Sequence, residues 1–258
     1  MSADHSSNID TTTCKNCASN LAANSLFCST CGQSAHEHRL TMTHIFHELV
    51  HVFTHADKGI FFTIKELAYR AGFVATEYVE GKRKKYFNPF QLLLITSGVF
   101  TFLVVYFKIF ETGSGSVINN GEIDVANKKV FDFMHFFFAK YFNFILLGMV
   151  PIQSFFSWLF FKKSKRNYAE NLVFNTYITA ELQIFGNIIF TFPSSLFPNL
   201  YSFLAGINFI VGIIFYIPAT KYFFNTTFAP AILKSIAIRL VIFMVMFLIL
   251  SLGILFFT

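Results

Sequence analysis

From Asn88 onward the chain alternates between apolar runs and short segments that carry nearly all of the charge. The runs fall near 90–110, 138–161, 172–192, 200–217 and 236–257. Each is close to the roughly 20 residues that a helix needs to cross the hydrocarbon of a bilayer. Hydrocarbon offers no partner to free backbone groups, so such runs cross it as helices. The pattern predicts an all-α integral membrane protein with about five transmembrane helices, its membrane domain covering 89–258.

Before Asn88 the period changes. Over residues 43–56, Ile45, Leu49, Val52, Phe53 and Ala56 share one helical face, and His44, His47, Glu48, His51 and His55 share another. The segments FFTIKELAYR and FVATEYVE read as further short helices, punctuated by Gly59, Gly72 and Gly81. Residues 36–88 are therefore expected to form amphipathic juxtamembrane helices, and residues 1–35 a small ribbon with a flexible N-terminus.

Composition agrees with the pattern: 54% of residues are apolar and 13% charged, against about a quarter charged in soluble domains. The 38 phenylalanines read as Phe standing in for Leu. A polar N-terminus without a signal-peptide pattern makes the first span the expected targeting signal. The net charge of +6 matters less than its placement. Lys82, Arg83, Lys84 and Lys85 precede the first span and are expected to meet lipid headgroups. Lys162, Lys163, Lys165 and Arg166 follow the second, and Lys221, Lys234 and Arg239 lie between the fourth and fifth. The 111–133 loop is acidic, with Glu111, Glu122, Asp124 and Asp132 against Lys128 and Lys129. The positive-inside rule then puts the N-terminus in the cytosol and Thr258 outside.

Cys14, Cys17, Cys28 and Cys31, the only cysteines, have the spacing C-x2-C-x10-C-x2-C. Two close thiolate pairs meeting at a tetrahedral centre are what one structural Zn2+ requires; iron is the alternative metal. Few apolar residues accompany them, apart from Leu21, Leu26 and Phe27, so metal binding must supply much of the folding energy. Lys15 is the only basic residue before Arg39. Nucleic acid is therefore an unfavourable partner, because backbone contacts need several cations. The bilayer, a cytosolic or membrane protein partner and a second copy of the chain remain.

Three further features bear on chemistry. Residues 47–51 read HELVH, the H-E-x-x-H arrangement that offers two metal ligands, His47 and His51, with Glu48 as a base. It permits a second Zn2+, but three histidines at successive i+4 steps lie along a line and converge poorly on one ion. Arg39 and His44 also match the loose R-x4-H pattern of helical ribonucleases. Glu181, beside Gln183, falls near the middle of the third apolar run, where an ionisable group is costly unless paired or wet. Asn143, Asn175, Asn187 and Asn208 offer polar contacts between helices, Pro151 a kink, and Arg239 is expected to snorkel toward the cytosolic interface.

In their order, these features resemble DUF3667, a family of bacterial membrane proteins of unknown function. The resemblance rests on Cys28-Ser29-Thr30-Cys31-Gly32-Gln33, on His55-Ala56-Asp57-Lys58-Gly59, on Thr63 to Leu67, and on Glu77-Tyr78-Val79-Glu80-Gly81-Lys82-Arg83-Lys84-Lys85-Tyr86-Phe87-Asn88-Pro89-Phe90. Ala71 stands where a proline is expected, within Arg70-Ala71-Gly72. The resemblance implies an integral membrane protein with a cytosolic ribbon and no known activity. Three readings follow: a membrane scaffold, sensor or accessory protein; a transporter or channel with Glu181 in its pathway; and a membrane-associated zinc hydrolase using His47, Glu48 and His51.

Overall fold

The computed structural model describes residues 13–22, 25–35, 39–45, 59–107 and 125–257. Their regular structure is helical, with no strand beyond two isolated bridges in the cysteine segment, which is itself built of turns. Six main helices follow: α1 (Ile60–Val79), α2 (Pro89–Tyr106), α3 (Val125–Phe160), α4 (Tyr168–Gly186), α5 (Tyr201–Phe223) and α6 (Phe228–Phe257).

Local chemistry sets several of these boundaries. Asn88 caps α2 by accepting hydrogen bonds from the N–H groups of Phe90 (2.9 Å) and Gln91 (3.3 Å), and Pro89 takes the first position, where its missing N–H costs nothing. At α4, Asn167 and Glu170 form a capping box. Beyond Gly186 the same helix passes through a π-helical turn, Asn187–Thr191, into the short helix Phe192–Leu196. Pro193 lies just beyond that turn, where it has no N–H to give the regular ladder. α1 is broken at Arg70, whose φ of −156° and ψ of 49° are not helical.

Side-chain pairing sets the directions. Thr96 on α2 meets Gln183 on α4, and Phe87 meets Tyr177, so α2 and α4 run parallel. Ser157 pairs with Asn171 and Gln153 with Asn175, making α3 antiparallel to α4. Phe174 stacks on Phe223 while Gly186 faces Asn208, so α5 is antiparallel as well. The basic segments thereby gather at one end of the bundle: Arg166 pairs with Glu80, Phe161 stacks on Phe224 with centroids 4.1 Å apart, and Lys234 Nζ donates to the Phe160 carbonyl.

Among the described residues, three helices are long and apolar enough to cross a membrane: Pro89–Tyr106, Tyr201–Phe223 and Phe228–Gly253. Phe144–Phe160, within α3, is a shorter apolar stretch. The third expected span, near 172–192, is a helix but is not among the three, because α4 carries Asn171, Asn175, Glu181 and Gln183. Its surroundings explain this. α4 packs against α1, α2, α3 and α5, and Phe174, Asn175, Thr176, Tyr177 and Ile178 are completely buried. It faces protein instead of lipid. α6 shows the opposite pattern, exposing Phe243, Met244, Phe247 and Leu248 along the surface that an apolar solvent would cover.

α1 closes the core on one side, with Leu67, Val74, Ala75 and Tyr78 all buried. At Gly72 it lies so close to α5 that a Cβ would come 2.3 Å from the carbonyl oxygen of Ala219. Backbone leaves no room for a methyl group there. Gly72→Ala is expected to destabilise the fold by at least about 1–3 kcal/mol, the usual cost of overpacking. Gly98→Ala on α2, where a Cβ meets nothing within 4 Å, should be neutral or slightly stabilising. Thermal unfolding of both variants in detergent checks the pair; equal melting temperatures would refute the close approach.

Candidate metal centre and buried polar sites

Two similar knuckles build the cysteine cluster. In the first, Cys14 N–H donates to the Ser19 carbonyl and Ala18 N–H to the Cys14 carbonyl; in the second, Cys28 N–H donates to Gln33 and Gly32 N–H to Cys28. Residue 18 (φ 59°) and residue 32 (φ 71°) occupy the same left-handed position, four residues after the first cysteine of each pair. Glycine adopts it readily, whereas Ala18 accepts some strain. The bridges Thr13 to Asn20 and Phe27 to Ser34 repeat the equivalence.

The four sulfur atoms lie within 4.8 Å of one another, with Cys14 to Cys31 and Cys17 to Cys28 each at 3.6 Å. A tetrahedral ion with metal–sulfur bonds of about 2.3 Å needs sulfur–sulfur edges of about 3.8 Å. The donor set fits a metal ion. Hydrogen bonding from Ser19 and from the backbone of Cys31 draws the Cys28 thiol down to about 5, toward the thiolate that a metal binds. Burial pushes Cys14 up to about 11, so a metal must displace its proton.

The cluster is attached to the membrane domain through the residues that follow it. Gln33 is buried, and its Oε1 accepts from the backbone N–H of Lys84 at 3.0 Å. Arg39 makes a two-pronged pair with the buried Glu170, Nε to Oε1 at 2.8 Å and Nη2 to Oε2 at 2.9 Å, and Nη2 also donates to the Lys165 carbonyl. Asn167 Nδ2 donates to the carbonyl of Leu40, which is fully buried. Arg39 therefore has a structural partner 131 residues away, which an R-x4-H pattern does not reveal. A cavity of about 550 Å3 lies at this junction, bordered by Lys15, Arg39, Glu80, Lys165, Arg166 and Glu170.

The four cations before α2 are not equivalent. Lys82 and Lys85 both pair with the buried Glu77, Lys85 at 2.7 Å, and Tyr86 Oη donates to the same carboxylate. Burial alone would raise the Glu77 carboxyl; the hydrogen bonds from Lys82, Lys85 and Tyr86 outweigh it and hold the group at about 2 instead of 4.5. The backbone of Lys84 serves Gln33. Arg83, too, has interactions within the chain.

Within the membrane domain α4 carries polar groups on several faces. Gln183 Oε1 accepts from Thr96 (2.6 Å) and Ser97 (3.2 Å) on α2. Asn175 accepts from Gln153 at 2.9 Å and from Tyr216 at 3.3 Å, and donates to Ser157, which in turn donates to Asn171. Glu181 is fully buried and neither carboxylate oxygen has a hydrogen-bond partner among the described residues; it borders a cavity of about 210 Å3 with Leu67, Arg70, Ala71, Ile214 and Ala219. Glu181 and Gln183 thus face different helices.

Arg239 departs from its expected place. Its guanidinium lies 4.5 Å from the ring centroid of Tyr216, with Nε and Nη2 enclosed by protein, so it turns into the bundle instead of snorkelling. Its position in α6 favours this: the side chain faces α5, where an aromatic face receives it. The Asn175 network and Arg239 were the functional-looking groups that sequence reasoning underrated. Their polarity was legible, but not which helix faces they occupied. His47, Glu48 and His51 lie outside the described residues, as does His55.

Two measurements check this geometry. Elemental analysis of the intact, untagged protein should give one metal ion per chain, lost on changing Cys14 and Cys17 together to Ser; retention of metal in that variant would contradict the cluster. For Glu77, a depressed carboxyl contributes stability that is present above about pH 4.5 and lost as pH falls toward about 2. Glu77→Gln should cost on the order of 3 kcal/mol at neutral pH, since one pKa unit corresponds to about 1.4 kcal/mol. The gap in melting temperature between the two proteins should close between about pH 4.5 and 2.

No curated protein and no solved structure gives a significant match to the chain. A family model described as "Protein of unknown function (DUF3667)" matches residues 57–101. That segment holds α1, the Glu77 cluster with its cations, and most of α2, and stops short of the cysteines and of α4. Over residues 57–101 the chain is similar to DUF3667, a family whose function is unknown.

Proposed function

We propose that the protein is a multi-pass scaffold or sensor of a bacterial inner membrane, with a zinc ribbon that couples a cytosolic or membrane protein partner to the membrane domain. One observation carries this reading: the ribbon is two-sided. Behind it, Gln33 and Arg39 attach it to Lys84 and Glu170, while Leu26 (68% exposed) and Phe27 (63% exposed) project from it. Large exposed apolar side chains on so small a unit favour a contact surface. The ion at Cys14, Cys17, Cys28 and Cys31 is Zn2+ in this reading, bound by the all-thiolate set that structural zinc prefers. The basic segments that gather at the ribbon end support a cytosolic N-terminus with Thr258 on the far side.

Metal binding then holds the attachment, because the cluster and the Gln33 turn belong to one knuckle. Removing zinc with a chelator should raise amide hydrogen exchange at residues 81–85 and in the first turns of α4, not only in the ribbon. Exchange confined to residues 13–35 would make the ribbon an independent cap and defeat the coupling. A second reading, transport through the membrane domain, is favoured by the unpartnered Glu181 carboxylate beside its cavity. Under it, Glu181→Gln abolishes flux in proteoliposomes yet leaves zinc-dependent exchange at 81–85 intact.

A further inference from the structure

Arg239 is the twelfth residue of α6, about 16 Å from its start at 1.5 Å per residue. It lies within the Phe228–Gly253 stretch that is apolar enough to cross a membrane. Nε and Nη2 are enclosed and make no hydrogen bond among the described residues, where no carboxylate pairs with the group either. The Tyr216 face stabilises it in part. A cation at such depth otherwise requires a counter-anion.

Two cavities meet at this side chain. One, of about 360 Å3, lies inside the bundle, where Gln153, Thr179, Gln183 and Asn208 border it with Arg239. The other, of about 440 Å3, lies between α5 and α6 and is almost wholly apolar, bordered by Phe209, Ile213, Leu240 and Phe243. Its polar border includes Ser235, one turn before Arg239, whose buried Oγ also has no partner. The arrangement is amphiphilic: an unpaired cation and hydroxyl beside a space that only hydrocarbon fills well.

We infer that this pair of cavities binds an anionic amphiphile, with its oxyanion head on Arg239 and its tail between α5 and α6. The shared chemistry is a carboxylate or phosphate carrying a single alkyl chain. Glu181 is not the internal counterion, for it borders a separate cavity against α1. The ligand enters sideways from the bilayer, because exposed Phe209 and Phe243 stand at the outer edge of the apolar cavity.

The test uses the full, zinc-loaded chain, delipidated in an uncharged detergent, with native mass spectrometry reading bound probe. Oleate and oleoyl-lysophosphatidate represent the two head groups; oleyl alcohol and inorganic phosphate supply the tail and the anion separately. One equivalent of oleate or lysophosphatidate should bind, and the tighter of the two identifies the head group. Oleyl alcohol and phosphate should bind at least tenfold more weakly. Arg239→Gln should lose at least tenfold in affinity, Arg239→Lys should retain part of it, and Glu181→Gln should bind as wild type. Failure of both anions to bind, equal binding of oleyl alcohol, or unchanged binding to Arg239→Gln overturns the inference. Should Arg239→Gln fail to fold, Ile213→Trp keeps the cation while filling the tail cavity, and unchanged affinity in that variant overturns it equally.

Discussion

The structure depends on α4 being enclosed. Surrounded by α1, α2, α3 and α5, this helix meets neither water nor lipid along much of its length. Every polar group it carries must therefore find a partner within the protein or bear the cost of being buried alone. Most find one: Asn171 meets Ser157, Asn175 meets Gln153 and Tyr216, and Gln183 meets Thr96 and Ser97. Such bonds have geometry that apolar packing lacks, and so they specify which faces of α2, α3 and α5 meet α4. Glu181 is the exception, and its unpaired carboxylate is what makes it a functional candidate.

The same helix links membrane and ribbon. Glu170 belongs to the capping box that starts α4, and it is also the carboxylate that Arg39 grips with two hydrogen bonds. A residue that a helix N-terminus favours on its own account thus becomes the attachment point for a segment far away in sequence. A second attachment lies close by, where Gln33 accepts from Lys84. Lys82 and Lys85 gather on Glu77, and that loop is held against α1 as well as against any headgroup. The basic loop is thus part of the protein's interior wiring.

What could be read from the chain alone was whatever has a short sequence period or a fixed spacing. The C-x2-C-x10-C-x2-C spacing foretold the cluster, because each knuckle is closed by backbone bonds within a few residues. Apolar runs foretold helices, and alternating charge foretold basic segments gathered at one end. The runs could not separate a helix that faces lipid from one that faces protein, since both avoid charge. That is why the segment near 172–192 reads as an apolar run like the others, though α4 carries Asn171, Asn175, Glu181 and Gln183 and is buried among its neighbours. Arg239 differs from its expected place for a related reason: the apolar run starts near 236 and puts it close to the end of a span, whereas α6 starts at Phe228 and carries it deeper, against the Tyr216 ring.

The sequence by itself determined the class of the protein, all helical with helices apolar enough to cross a membrane, and the four cysteines that are placed to hold a metal ion. These follow from burial of backbone in an apolar medium and from thiolate spacing, which are local constraints. Only the tertiary structure decided that Gly72 lies against Ala219, that Arg39 reaches Glu170, and that Arg239 stands unpaired between two cavities. Each of these depends on the rotation of one helix about its axis relative to another. That rotation is set by the sum of many small contacts between distant residues, so no stretch of the chain encodes it alone.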